Sequence, residues 1–178
     1  AFGGPIVAPS ANRSGRPSPT TFADAMEETG AATGTALDGG HCAVGLESTV
    51  VALLDEARLL RPGAVTRSEI EAMIGPLLDA EGDAKRSPGR MTRHYAPSAP
   101  VRLDVVVPAP GEAWLSFGGA GSGPWNLSPS GDLREAAANL FAYLRAADRT
   151  HPTAIAIAPI PPEGLGEAIN DRLRRAAA

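Results

Sequence analysis

Cysteine, lysine and histidine are nearly missing from this 178-residue chain, and aromatic residues make up only 4% of it. A single cysteine, Cys42, excludes a disulfide framework and a cysteine-based zinc site within these residues. His41, His94 and His151 are too far apart in sequence to form a ligand-spaced cluster. Lys85 is the sole lysine, and 16 Lys and Arg against 20 Asp and Glu leave a net charge of −4. That balance argues against a broad cationic surface for gripping nucleic-acid phosphates, although a local basic groove stays open. A small anionic ligand needs only one or two cations. No run of about eighteen apolar residues occurs, and no charged-then-apolar signal stands at the start. A cytoplasmic protein without a membrane span is therefore expected.

What is present is enough apolar material for a core, 43% hydrophobic residues, cut by many breakers. Gly 20 and Pro 17 together are 37 of 178 residues, well above the roughly 12% of average usage. Ordered elements joined by many loops fit that excess. The chain opens at Ala1-Phe2-Gly3-Gly4 without an initiator Met and runs at once into apolar residues. It is expected to begin within a domain.

Pro5 to Ala8 has the profile of a short buried strand, followed by a turn-rich loop from Pro9 to Pro19. Thr21 with Asp24, and Thr66 with Glu69, have capping spacing and open two helices. The second carries Ile70, Met73, Ile74 and Leu77 on one apolar face. Strands are expected at Thr35–Leu37, Ser48–Leu54 and Leu59–Leu60. Residues 81–99 are polar and breaker-rich, the profile of an interdomain linker. Beyond it, strands are expected at Val101–Val107, Ala113–Phe117 and Ala154–Ala158. Helical spacing marks Leu133 to Leu144 and Leu165 to Leu173. Strands alternating with helices predict an α/β fold with a partly parallel sheet.

Five strings invite a chemical reading. The Pro9–Pro19 loop offers small hydroxyl and amide side chains that can meet phosphate or ribose oxygens, with Arg13 and Arg16 adding charge. The same composition also describes an ordinary turn before a helix. In Gly45-Leu46-Glu47-Ser48-Thr49, hydroxyls at a strand mouth can bind a carboxylate or phosphate, or simply start a strand. Its spacing is not that of a nucleophile elbow. Arg61, between an apolar strand and Pro62-Gly63, can fork onto a phosphate or form a surface ion pair. Arg93-His94-Tyr95 places an aromatic in a linker, where it is useful only if it docks on a ligand or on a domain surface. The glycine-rich stretch Phe117–Pro124 lacks the Gly-Lys-Ser/Thr of a phosphate loop and reads as a flexible loop.

In order, PIVAPSANRSGRPSPTT, LDGGHCAVGLESTVV, LLRPGAVT and SPGRMTRHYAP resemble the YrdC-like threonylcarbamoyl-AMP synthases of the long, two-domain type. NLSPSGDLREAAANLFAYLR and PIPPEGLGEAINDRLRRAA resemble that type's accessory C-terminal domain. The resemblance covers nearly the whole chain. It implies the C-terminal portion of a YrdC-like α/β domain over 1–80, a linker over 81–99 and a small Rossmann-like domain over 100–178. It also implies a nucleotidyltransferase that joins L-threonine, bicarbonate and ATP into threonylcarbamoyl-adenylate, releasing pyrophosphate. Magnesium would accompany ATP without protein ligands, and partner proteins would pass the threonylcarbamoyl group to tRNA.

By the same resemblance, Ser10 and Ser18 contact the nucleotide and Asn12 supports their loop. Arg61 meets the phosphates, and Tyr95 meets the nucleotide from the linker side. Ala8, through its backbone, and Ser48 face threonine. The family's basic Lys-x-Arg region lies N-terminal to everything in this sequence, so this chain alone is expected to be weakly active or inactive. Two alternatives remain at this level: a double-stranded RNA or tRNA-binding module, and a carbamoyl-transfer enzyme of the hydrogenase-maturation type. A third alternative makes the C-terminal domain only an interaction or regulatory module, dispensable for activity.

Overall fold

Thr66 and Glu69 form a reciprocal cap: the Thr66 side chain accepts from the Glu69 backbone, and the Glu69 carboxylate accepts from the Thr66 N–H at 2.8 Å. Two otherwise orphaned donors are satisfied, and the helix starts there. Thr21 likewise accepts from Asp24 N at 3.1 Å and opens the first helix. The computed structural model describes residues 3–53, 55–80, 94–121 and 123–178. Its elements run α1 (Phe22–Thr29), β1 (Val50–Leu53), β2 (Ala57–Arg61), α2 (Arg67–Ile74) and β3 (Leu78–Asp79). They continue with β4 (Val101–Arg102), β5 (Ala113–Ser116), β6 (Trp125–Asn126), α3 (Leu133–Asp148), β7 (Ile155–Ile157) and α4 (Leu165–Ala176).

The fold is α/β, as expected. One sheet has order β1-β2-β3, antiparallel then parallel; the other, β4-β7-β5-β6, is parallel throughout. β7 is buried along its whole length, and its Ala154-to-Ala158 run is apolar without alternation. That is the pattern of a strand covered on both faces of a parallel sheet. α3 supplies the main apolar face: Ala137, Leu140, Phe141 and Leu144 are all buried, as their spacing predicts. Asp132 caps it, accepting from Arg134 N and Glu135 N. α3 packs on β5, β7 and α4. The loop expected at Phe117–Pro124 contains a short 3₁₀ turn, Gly118–Ala120, to which the Asn126 amide donates at Gly118 O, 2.9 Å.

Several expected elements differ. Pro5–Ala8 is not a buried strand: it is irregular, and Val7 is 99% exposed. No described strand runs alongside it, and an unpaired apolar segment has no ladder to join. Thr35–Leu37 is also irregular and exposed. The strand expected over Val101–Val107 stops at Arg102, because Asp104 turns the backbone at φ 56° and leaves Val106 and Val107 exposed. α2 ends at Ile74, where Gly75 adopts φ 87°. No α2 residue is buried, and among the described residues nothing covers Met73. Of the expected 81–99 linker, residues 81–93 lie outside the described residues.

Candidate functional site

The loop after Ala8 is shaped by its own side chains. Asn12 donates to the carbonyls of Arg13 and Arg16 at 3.0 and 3.3 Å, while Gly15 turns the chain at φ 84°. Arg13 and Arg16, read in the sequence as charge for an anion, are paired elsewhere. Arg13 donates to Glu28 through both its backbone N and Nε, at 3.0 and 2.9 Å. Arg16 lies 3.8 Å from Glu28 and 3.7 Å from Asp148. From α3, Arg145 donates to the other Glu28 oxygen at 3.0 Å and also to the carbonyl of Pro17. Burial of Glu28 opposes its charge, but hydrogen bonds from Arg13 and Arg145 prevail and hold its pKa at about 2. The loop is thus fixed from outside, and Ser10 and Ser18 are left to face inward.

Opposite the loop stands the Glu47–Ser48 segment. The Ser18 hydroxyl donates to Glu47 Oε1 at 2.6 Å. Arg61, at the end of β2, is buried and donates to the Ser48 carbonyl through Nε at 3.2 Å and Nη2 at 2.9 Å. Its Nη2 also lies 3.4 Å from the Ser48 hydroxyl. The Arg61 guanidinium is therefore held at a set angle before any ligand arrives.

The third wall is His94-Tyr95. Tyr95 sits in left-handed backbone at φ 61° and is only 2% exposed. Its ring meets His94 edge-on at 4.1 Å, lies 5.4 Å from Phe141, and carries the Arg172 guanidinium 5.2 Å above its centre. Ala96 N donates to Gly15 O at 2.8 Å, tying this segment to the loop. Burial, then the nearby Glu47 charge, pushes the Tyr95 phenol up, so it stays protonated. Burial pushes His94 down, favouring neutral imidazole, and its Nδ1 is buried without a hydrogen-bond partner among the described residues.

These walls enclose a cavity of about 640 Å³, within the usual size range of ligand sites. Its lining contains Ala8, Ser10, Asn12, Ser18, Ser48, Arg61 and Tyr95, the seven residues to which the family resemblance gives a site role, drawn from four separate strings. Pro9, Glu47 and His94 complete it. Glu47 and His94 were visible in sequence only as neighbours of Ser48 and Tyr95. A carboxylate flanked by Leu46 and Ser48 at a strand mouth was the available signal.

The chemistry on offer is positioning. Glu47 is engaged by Ser18 on one oxygen and by Arg172 Nε on the other at 2.7 Å. The Ser18–Glu47 pair lacks the intervening base of a nucleophilic triad. Hydroxyls, one amide and one guanidinium suit a polar, anionic ligand.

A family profile described as "Threonylcarbamoyl-AMP synthase, C-terminal domain" matches residues 65–178, and one described as "Telomere recombination" matches residues 1–63. The threonylcarbamoyl-AMP synthase of Pyrococcus abyssi is 36% identical over 97% of this chain and 58% of its own length. The Bacillus subtilis enzyme of the same name is 33% identical over 97% of this chain and 57% of its own. Among solved structures, P. abyssi Sua5 complexed with L-threonine superposes with a TM-score of 0.79 at 32% identity, over 95% of this chain and 56% of that one. A variant of that protein with a histidine and a tyrosine replaced by alanine gives a TM-score of 0.76 at 30% identity, with the same coverage. The chain thus spans about half the length of the relatives it matches.

Proposed function

The chain belongs to the threonylcarbamoyl-AMP synthase family, and from that premise we propose that it forms part of an enzyme making threonylcarbamoyl-adenylate from L-threonine, bicarbonate and ATP. The observation that carries this reading is the convergence of the seven expected residues on one cavity. A structural relative was solved with L-threonine, which supports threonine as the amino-acid substrate here.

The threonine amine attacks the bicarbonate carbon, and water leaves to give a carbamate. A carbamate oxygen then attacks the α-phosphorus of ATP, and pyrophosphate departs. No protein nucleophile is needed. Ser48 and the Ala8 backbone hold threonine, while Ser10 and Ser18 contact the nucleotide within a loop braced by Asn12. Arg61, pre-set by the Ser48 carbonyl, balances charge on the phosphates. Tyr95 covers the nucleotide from the 81–99 side and keeps water from the adenylate. Magnesium would enter on the ATP phosphates; among the described residues no three His, Cys, Asp or Glu gather into a ligand group. Among the described residues no helix is long and apolar enough to cross a membrane. Cytoplasmic partners that move the threonylcarbamoyl group to tRNA complete the reading.

The test is pyrophosphate release from ATP by this chain and by a version extended at its N-terminus with the family's Lys-x-Arg region. The extended protein is expected to release pyrophosphate only when both threonine and bicarbonate are present, and this chain to do so weakly or not at all. A folded, extended protein whose release ignores both co-substrates overturns the reading, and RNA binding becomes the next hypothesis.

A further inference from the structure

One turn of α4 reaches the cavity from the other sheet's domain. Arg172 is fully buried, and its Nε donates to Glu47 Oε2 at 2.7 Å, across 125 residues of sequence. Asp171 takes Arg172 Nη1 at 2.7 Å and Arg175 Nη2 at 2.8 Å, which sets the angle of the first guanidinium. The Arg175 carbonyl accepts from His94 N at 3.1 Å. The same turn therefore touches Glu47, His94 and Tyr95, three members of the cavity wall.

A purely structural strut would not need this chemistry. Burying a guanidinium costs more than burying a methionine or leucine of similar volume, unless its donors are all used. Arg172 Nη2 has no hydrogen-bond partner among the described residues. What the arginine gives that an apolar residue cannot is direction. It draws Glu47 toward one side by charge while the Ser18 hydroxyl holds the other oxygen. It also lies over the Tyr95 ring, helping to hold that residue in its left-handed backbone.

We infer that Arg172 is a positioning residue: from the accessory domain it orients Glu47, and through it Ser18, together with Tyr95 for nucleotide binding. This rests on the synthase reading for what the cavity binds, but not for the positioning itself. The accessory domain is on this view a working part of the site and not a dispensable module.

The experiment compares Arg172→Met and Arg172→Lys in the full-length protein, measuring KM for ATP, kcat, Tm and deuterium exchange of residues 94–97. Arg172→Met should raise the ATP KM about tenfold, lower kcat less, and speed exchange at 94–97. Arg172→Lys, which keeps a charge for Glu47, should recover part of both effects; it also serves if the methionine variant does not fold. Combining Arg172→Met with Glu47→Gln should raise KM no further than the worse single change. A lower Tm with wild-type KM and wild-type exchange at 94–97 overturns the inference. Should the unmodified protein show no threonine-dependent pyrophosphate release, the synthase reading fails, and the exchange measurement alone still decides for or against Arg172.

Discussion

A bulky aromatic such as Tyr95 takes a left-handed backbone only where its surroundings fix it. Here the fixing groups are hydrogen bonds on either side, from His94 N to Arg175 O and from Ala96 N to Gly15 O, with Phe141 and Arg172 against the ring. The ring is thus held rigidly in the cavity wall, and its phenol stays neutral because burial disfavours the charged form. If it stacks on the nucleotide, ring and hydroxyl contribute separately. Tyr95→Ala should weaken nucleotide binding about thirtyfold, in line with roughly 2 kcal/mol for aromatic–base stacking. Tyr95→Phe, which keeps the ring, should weaken it by no more than about threefold, since one neutral hydroxyl hydrogen bond contributes roughly 0.5 kcal/mol. Equilibrium titration with ATP reads both. An alanine variant that binds as well as the wild type removes Tyr95 from the site.

At the scale of elements, the Pro62–Gly63 turn after β2 decides where the Glu47–Ser48 wall can lie. Ala64 N donates to the Glu47 carbonyl at 3.1 Å, and a Cβ on Gly63 would sit 2.5 Å from the Ser48 carbonyl carbon and the Thr49 nitrogen. Those neighbours are backbone, so they cannot swing aside. Gly63→Ala should cost about 2 kcal/mol or more and should weaken threonine and nucleotide binding together. Loss of stability with unchanged binding, measured by thermal melts and titration, would show that the wall is independent of the turn. The strings around this wall made most of the candidate site legible in sequence, because each bundles its cavity-lining residues within a few positions. The caps at Thr21 and Thr66, and the apolar faces of α3 and α4, were legible for the same local reason, whereas the Asp132 cap was not read. Strands were less so. Pro5–Ala8 and Val101–Val107 carry strand-like composition, yet a strand exists only where a partner offers its ladder, and composition does not report partners. Arg172 was hidden for a related reason: an arginine on an amphipathic helix reads as solvent-facing until the fold buries it.

Over the whole molecule, residues before and after the 81–93 stretch are joined by arginine–carboxylate pairs, and these differ in worth. Arg149 to Glu27 at 2.5 Å and Arg67 to Glu167 at 2.8 Å are partly exposed, and pairs of that kind contribute about 1 kcal/mol or less. Glu28 with Arg145 is another matter, for both side chains are essentially inaccessible, at 0% and 2%. Removing one member leaves a buried, uncompensated charge. Glu28→Gln should therefore lower stability at pH 7 by about 3 kcal/mol. The pH dependence has a defined sign. The carboxyl is held near 2 in the folded state against an ordinary 4.5, so its stabilising effect is complete above pH 4.5 and is lost as pH falls toward 2. Because Glu28 joins α3 to the Pro9–Pro19 loop, acid should loosen the cavity wall along with the α1–α3 contact. Thermal melts between pH 5 and pH 2 should show a steep loss of Tm in the wild type and a shallower one in Glu28→Gln. Parallel profiles for the two proteins would mean that the acid response arises from other carboxylates, and that Glu28 does not govern how α3 is held against the Pro9–Pro19 loop.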